Sequence, residues 1–382
     1  ELARPSDGAA FAECPIADAA TVDRAVVAAQ AALASSRWGQ ARPRDRVAAM
    51  HRWADLIEEN ALALARLEAV ASTRPIREAI TGDVAVTAEQ IRFFAEFADK
   101  EGGDLAPTGG DAFGFVASEP HGVVGAITPW NFPLSMAAWK LAPALAAGNA
   151  VVLKPSEMTP FSTLTLAELS VRAGIPAGLV NVVLGDGPTT GAALAGHAGV
   201  AKLSFTGSTA AGAAIMENIA RMGVKPMTLE LGGKSPQLIF ADADLDLAAG
   251  AVARSILANA GQACVAGSRL IVEERVAAPV MERIATAMAA VRPGPTWSEE
   301  TTFSPIISER QLARMDRIVA ETAAGGARIV AGGRRLDRPG SFYAPTLIDA
   351  LASDAPAIRE EIFGPVLTVQ TFADEDEAFA LA

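Results

Sequence analysis

Between residues 122 and 233, short β-branched runs alternate with Ala/Leu-rich stretches of helical period, and this alternation constrains the fold more than any other feature. Strands are predicted over 122–128, 150–154, 180–184, 202–206 and 227–231, with helices such as 163–172 and 209–221 between them. Continuous apolar strands joined through helices make a parallel sheet covered on both faces, since parallel neighbours are reached only by a crossover. The expected class is α/β, built on a doubly wound parallel sheet. Several helical runs close on a glycine, at Gly148, Gly174 and Gly223, which suits a left-handed C-terminal cap.

The pattern restarts after Gly233, with a helix over 245–260 that stops at Gly261, a strand over 269–273, helices over 278–290 and 309–323, and strands near 327–330 and 366–371. This reads as a second α/β domain, and the functional cleft is expected where it meets the first. Ahead of the alternating block, 21–35 and 45–70 read as two amphipathic helices, the second carrying Leu56, Leu62, Leu64 and Leu67. A Gly/Pro-rich arm with strand-like alternation from Phe113 to Ser118 follows. It is either a strand that pairs with another subunit or an ordinary surface hairpin. The expected division is 1–101 with 121–231 as the doubly wound domain, 102–120 as the arm, and 232–382 as the second domain.

A chain of 382 residues is long enough for two or three domains. Its 51% hydrophobic and 20% charged residues exclude a disordered, collagen-like or coiled-coil protein. The net charge of -12 speaks against a nucleic-acid or anionic-membrane surface. The two cysteines, Cys14 and Cys264, lie far apart with no Cys/His cluster, so neither a disulfide scaffold nor a metal site is expected. With no long apolar run and no signal-like start, the expectation is a soluble cytoplasmic protein. The chain opens on Glu1 and closes within a helix start, Asp374 with Glu377 three residues on, so both ends read as cut.

Five segments carry candidate chemistry. In the first, Lys202 to Thr209 runs from a strand through Gly207 into a helix, a turn that admits a phosphate or simply a tight turn. Strand 150–154 ends in Lys154-Pro155-Ser156-Glu157, and strand C-termini in this fold point into the ligand crevice. Pro129 and Pro133 stiffen the turn holding Asn131, whose amide is thereby aimed or merely buried. Cys264 sits in a Gly-flanked polar turn suited to an exposed nucleophile, whereas Cys14 reads as an inert small hydrophobe. Glu230 interrupts an apolar strand, so burial should raise its pKa toward a general base's range; alternatively it is a structural Glu paired with Lys234 or Arg269. Lysine is scarce, six in the whole chain, which draws attention to those inside motifs.

Together the segments Trp130-Asn131-Phe132-Pro133, Lys154-Pro155-Ser156-Glu157, Phe205-Thr206-Gly207-Ser208, Glu230-Leu231-Gly232-Gly233-Lys234, Gly261-Gln262-Ala263-Cys264 and Glu361-Ile362-Phe363-Gly364-Pro365 resemble the aldehyde dehydrogenase superfamily in order and spacing, across essentially the whole chain. The resemblance implies a doubly wound NAD-binding domain, a second α/β catalytic domain and a β-arm for oligomerisation. It implies oxidation of an aldehyde to a carboxylic acid, with Cys264 as nucleophile and Asn131 as oxyanion donor. Hydride then passes to the nicotinamide, and Glu230 activates the water that hydrolyses the thioester. Lys140 joins the catalytic set. Lys154 and Glu157 would hold the adenosine ribose, Ser208 and Trp130 the pyrophosphate region, and Glu361 and Phe363 the nicotinamide ribose and ring. Thr128, Thr206, Gly207 and Leu231 would also line the cofactor site. NAD is expected over NADP because Glu157 repels a 2′-phosphate. Phe132, Met136 and Trp139 would line an apolar substrate tunnel that favours an aliphatic or aromatic aldehyde, and a homodimer or homotetramer is implied.

The chain departs from the family pattern at Thr73-Arg74-Pro75, where relatives commonly carry Gly-Lys-Pro, a difference expected to be peripheral and harmless. It also stops short of the family's last segment. Two competing readings are a CoA-acylating relative, disfavoured by the complete Glu230 motif, and a non-catalytic nucleotide-binding protein on the same scaffold.

Overall fold

A computed structural model describes residues 1–382 and divides them into two compact units. One comprises Glu13–Glu68 with Arg77–Glu230; the other comprises Glu1–Ala12, Ala69–Ile76 and Leu231–Ala382. The grouping of 1–12 and 69–76 differs from a division by sequence order. The physical reason is a set of bonds into the second unit: Ser6 Oγ shares a 2.8 Å hydrogen bond with Thr296 Oγ1, Ile76 N donates to Thr296 O at 2.7 Å, and Ser341 N donates to Pro5 O at 2.9 Å.

In the first unit five strands form one all-parallel sheet: β1 Val123–Ile127, β2 Ala150–Lys154, β3 Val180–Val182, β4 Lys202–Thr206 and β5 Met227–Glu230. Their order is β3-β2-β1-β4-β5, the doubly wound arrangement in which the direction of strand addition reverses between β1 and β4. Strands β1 and β2 are buried at every residue, while the edge strand β5 alternates between partly buried and exposed. Around the sheet lie α1 Ala19–Ser36, α2 Pro43–Glu59, α3 Ala85–Phe97, α4 Pro133–Ala146, α5 Phe161–Arg172 and α6 Thr209–Met222. The helix expected over 45–70 is broken: α2 stops at Glu59 and a separate helix runs over Ala61–Ala71. At the break Asn60 turns its own side chain onto the helix, donating from Nδ2 to Leu56 O at 2.7 Å. The arm contains only two-residue strands, Leu105–Ala106 antiparallel to Gly114–Phe115.

The second unit carries a mixed sheet of β6 Pro236–Ile239, β7 Arg269–Glu273, β8 Arg328–Ala331, β9 Thr346–Asp349 and β10 Val366–Phe372, in the order β6-β7-β10-β9-β8. Only β8 runs antiparallel, and β6 and β9 were not anticipated from sequence. Successive strand residues enter opposite cores. Leu347 packs on one side with Val252, Leu270 and Ile284, and Ile348 on the other with Met315, Ile318 and Val366. Flanking helices are α7 Leu245–Leu257, α8 Glu274–Ala289, α9 Glu309–Ala324 and α10 Glu375–Leu381. The predicted start of α10 forms as a reciprocal cap: Asp374 Oδ1 accepts from Glu377 N at 3.0 Å and Glu377 Oε2 from Ala373 N at 2.8 Å. No helix is long and apolar enough to cross a membrane.

Gly148 shows why one turn tolerates only glycine. Its φ is 90°, and a Cβ there would lie 2.8 Å from Gly39 Cα. Gly148→Ala should cost about 2–4 kcal/mol of stability, read as a lower urea midpoint at unchanged m-value.

Candidate active site

Because all five strands of the first sheet point the same way, the residues that follow them gather at one edge. The ladder continues past the strand ends: Thr128 N donates to Lys154 O at 3.1 Å, and Gly207 N donates to Glu230 O at 3.1 Å. The carboxyl edge thus carries Lys154 and Thr128 on one side of the reversal point, and Thr206, Gly207 and Glu230 on the other. Ser208 caps α6, accepting from Ala211 N at 3.2 Å, so the amide end of a 14-residue helix opens at this edge. Thr128 Oγ1 is buried there without a hydrogen-bond partner. Lys154 is buried, and its ammonium donates to Pro155 O at 2.9 Å and Gly185 O at 2.8 Å and lies 3.7 Å from Glu157 Oε2. Burial lowers its pKa, against the opposing attraction of Glu157. Cys14 lies within electrostatic reach of the same pair, and burial pushes its thiol up, so the thiolate is disfavoured.

Asn131 is buried in the turn that ends at Pro133, the first residue of α4, while Trp130 is partly buried beside it. Phe132, Met136 and Trp139 share one face of this helix start by their spacing of four and three. Phe132 and Met136 are partly buried, Trp139 is exposed, and its ring meets Phe94 edge-on at 5.9 Å. One turn beyond Met136, Lys140 is buried and donates to Ser204 Oγ at 3.0 Å.

Glu230 departs from expectation. Its side chain is exposed, because β5 is an edge strand and Glu230 falls on the open phase of its alternation. The burial expected from its apolar neighbours is therefore absent. It lines a cavity of about 340 Å³ in the first unit together with Lys140, Ser204, Thr228 and Trp139. The burial cost falls on Lys140, whose pKa drops to about 8, with Glu230 partly opposing the shift.

In the second unit the helix expected to reach Ala260 ends at Leu257, and the chain turns through left-handed backbone at Asn259 (φ 48°), Ala260 (φ 50°) and Gly261 (φ 69°). A Cβ on Gly261 would lie 2.2 Å from Gly364 O. Left-handed geometry at the two non-glycine residues costs on the order of 1–2 kcal/mol each. Gln262, fully buried, holds the turn: its Nε2 donates to Asn259 O and Pro305 O, both at 2.9 Å, and its Oε1 accepts from Ile307 N at 3.0 Å. Cys264 follows, exposed.

Glu361 is partly buried and accepts from Gly233 N at 3.2 Å; a Cβ on Gly232 would lie 1.9 Å from Glu361 Oε2, and one on Gly233 would lie 3.4 Å from Cys264 O. Cys264, Leu231 with its two following glycines, and Glu361 are thus neighbours in one unit. Burial raises the pKa of Glu361. Phe363 is partly buried with φ 56°. Its loop is gripped from α9, where Gln311 Nε2 donates to Ile362 O at 2.9 Å and Arg314 donates to Glu361 O at 2.8 Å. Lys234 Nζ is buried without a hydrogen-bond partner, and desolvation lowers its pKa to about 8.

Sequence reading missed Gln311 and Arg314, which act through carbonyls and carry no motif. It also misjudged Thr73-Arg74-Pro75. Both Thr73 and Arg74 are buried, and Thr73 Oγ1 donates to Asn259 Oδ1 at 2.6 Å, so the departure from Gly-Lys-Pro is not peripheral.

A family model described as the aldehyde dehydrogenase family matches residues 1–382. The chain is 40% identical over 379 residues to retinal dehydrogenase 2 of Homo sapiens, covering 99% of this chain and 73% of that protein. It is 41% identical over 381 residues to an aldehyde dehydrogenase of Enchytraeus buchholzi, covering 99% of this chain and 76% of that one. Among solved structures, an NAD+ complex of aldehyde dehydrogenase from Bacillus cereus superposes with TM-score 0.97 at 38% identity, covering 100% of this chain and 77% of that one. An indole-3-acetaldehyde dehydrogenase with NAD+ gives 0.97 at 40% identity, covering 100% and 78%. The fold and these matches define the class: the chain belongs to the aldehyde dehydrogenase family.

The Lys140 shift has a measurable consequence. Between about pH 8 and the ordinary 10.5, the unfolded chain keeps this proton and the folded chain does not, so stability rises with pH across that window. Lys140→Met should remove about 2 kcal/mol of that rise. Urea unfolding of variant and parent at pH 7.5, 9 and 10 reads the difference, with the share of Lys234 common to both.

Proposed function

We propose that the protein oxidises an aldehyde to a carboxylic acid with NAD, through a covalent intermediate on Cys264. The observation that carries this reading is the exposed Cys264, set on a strained turn pinned by Gln262, in a chain matching the family from end to end. The residues at the carboxyl edge suit a dinucleotide: a helix N-terminus at Ser208, the buried Thr128 hydroxyl without a partner, and the Lys154–Glu157 pair for ribose hydroxyls. Trp130, Thr206 and Gly207 would line the same site, with Glu361, Phe363 and Leu231 at the nicotinamide end. When bound, NAD supplies the acceptor for the hydride released as the carbonyl re-forms.

The protein's own steps follow. Cys264 sulfur bonds to the aldehyde carbon, and the carbonyl electron pair moves to oxygen. The Asn131 amide, with the Cys264 N–H, donates to that oxyanion. Loss of hydride leaves a thioester. Glu230 then takes a proton from water as the new C–O bond forms and the C–S bond breaks, releasing the thiolate. Lys140, in the Glu230 cavity, holds positive charge beside that carboxylate below about pH 8. An exposed Glu230 is fit for this step because it must meet water.

Phe132, Met136 and Trp139 present an apolar, aromatic face, which favours an aliphatic or aromatic aldehyde. In support, two similar proteins are named for retinal and indole-3-acetaldehyde. The arm supports assembly into a homodimer or homotetramer, since Leu105, Phe113 and Phe115 are 72%, 77% and 67% exposed. A reducing, cytoplasmic setting keeps Cys264 as a thiol.

Cys264→Ala should abolish NADH formation while leaving NAD affinity within about twofold, and Glu230→Gln should keep the first NADH burst while slowing the steady state by about 100-fold or more. Turnover in the first variant refutes covalent catalysis, and a missing burst in the second refutes the water-activating role. Glu157→Ala should raise the NADP/NAD ratio of kcat/KM by about tenfold, equivalent to ~1.4 kcal/mol; an unchanged ratio removes Glu157 from the ribose site.

A further inference from the structure

We infer that Thr73 is a positioning residue for Cys264, a reading that rests on Cys264 being the nucleophile. Thr73 is fully buried, in the segment Ala69–Ile76 that belongs with Leu231–Ala382. Its hydroxyl donates to Asn259 Oδ1 at 2.6 Å. That bond orients the Asn259 amide, because an oxygen facing the hydroxyl leaves Nδ2 aimed at Gln262 O, 3.3 Å away. Gln262 in turn closes back on Asn259 O at 2.9 Å. The result is a ring of side-chain and backbone bonds around two adjacent non-glycine residues in left-handed geometry, Asn259 (φ 48°, ψ 32°) and Ala260 (φ 50°, ψ 41°).

Such a pair persists only where its surroundings over-determine it. Asn tolerates the left-handed region because its short amide can bond locally, but Ala has no such group. The conformation of Ala260 therefore depends on bonds made by its neighbours, and one of these comes from Thr73, 186 residues away in sequence. Cys264 begins two residues after Gln262, so any relaxation of the turn re-aims its sulfur.

The test uses Thr73→Val, which keeps the shape and removes the donor, and Thr73→Ser, which restores the donor, both in a Cys14→Ser background so that alkylation reports Cys264. Three quantities are measured: the NADH burst rate constant, KM for NAD, and the pH profile of Cys264 carbamidomethylation by iodoacetamide, followed by mass spectrometry. Thr73→Val should lower the burst rate about tenfold, as expected for a small misplacement of a reacting group. KM for NAD should stay within about twofold, the limiting alkylation rate should change, and Thr73→Ser should recover most of the burst, because neither alters the cofactor residues. If Thr73→Val does not fold, Thr73→Ala carries the same comparison with Ser. Burst and alkylation rates equal to the parent's in the folded variant, beside an inactive Cys264→Ala, overturn the clamp alone. Turnover by Cys264→Ala overturns both the clamp and the reading beneath it.

Discussion

The parallel direction of β1 to β5 is the constraint on which the rest of the first unit depends. In a parallel ladder every strand delivers its carboxyl end to the same edge, and here the ladder extends one bond beyond the strands, at Thr128–Lys154 and Gly207–Glu230. Turn residues far apart in sequence are therefore held by backbone bonds rather than by loop packing. Reversing one five-residue strand would carry its turn roughly 17 Å away, at about 3.3 Å per residue. The lysine that ends β2 and the carboxylate that ends β5 share an edge for this reason alone.

Around Cys264 the opposite strategy operates. No strand end presents the thiol; a turn held in left-handed backbone does, and its strain is offset by bonds to Gln262, Pro305, Ile307 and Thr73. A short, over-bonded turn can expose a sulfur to solvent while keeping its backbone fixed, which a mobile loop cannot do. The close approach of Gly261 to Gly364, and of Gly232 to the Glu361 carboxylate, draws the Glu361–Phe363 loop toward the same region.

Charge is distributed in keeping with this. Lys140, Lys154 and Lys234 all have pKa values lowered by burial, and two of them, Lys154 and Lys234, belong to motif segments of a lysine-poor chain. Holding an ammonium out of water is costly unless a carboxylate or carbonyl meets it. Lys154 has two carbonyls, Lys140 a serine hydroxyl and the field of Glu230, and Lys234 only the field of Glu361, opposed by Arg269.

Much of this was legible without coordinates. Strands 150–154, 202–206 and 269–273 coincide with Ala150–Lys154, Lys202–Thr206 and Arg269–Glu273, because local period and β-branching are short-range properties. The linked motifs identified the family because spacing along the chain is itself sequence information. Other features depended on contacts that sequence order does not contain. Glu230 looked buried from its apolar neighbours, but only strand order reveals that β5 lies at an edge. The helix before Cys264 looked continuous to Ala260, and only the bonds gathered around Asn259 support its early end and left-handed exit. Thr73 read as a harmless substitution, because its partner lies 186 residues further on and only folding brings the hydroxyl to the amide. Sequence alone determined the family and most of the elements, since both follow from residue type and spacing along the chain. Tertiary structure decided which groups meet water, which are clamped and which share an edge, because those depend on neighbours that only the folded chain supplies.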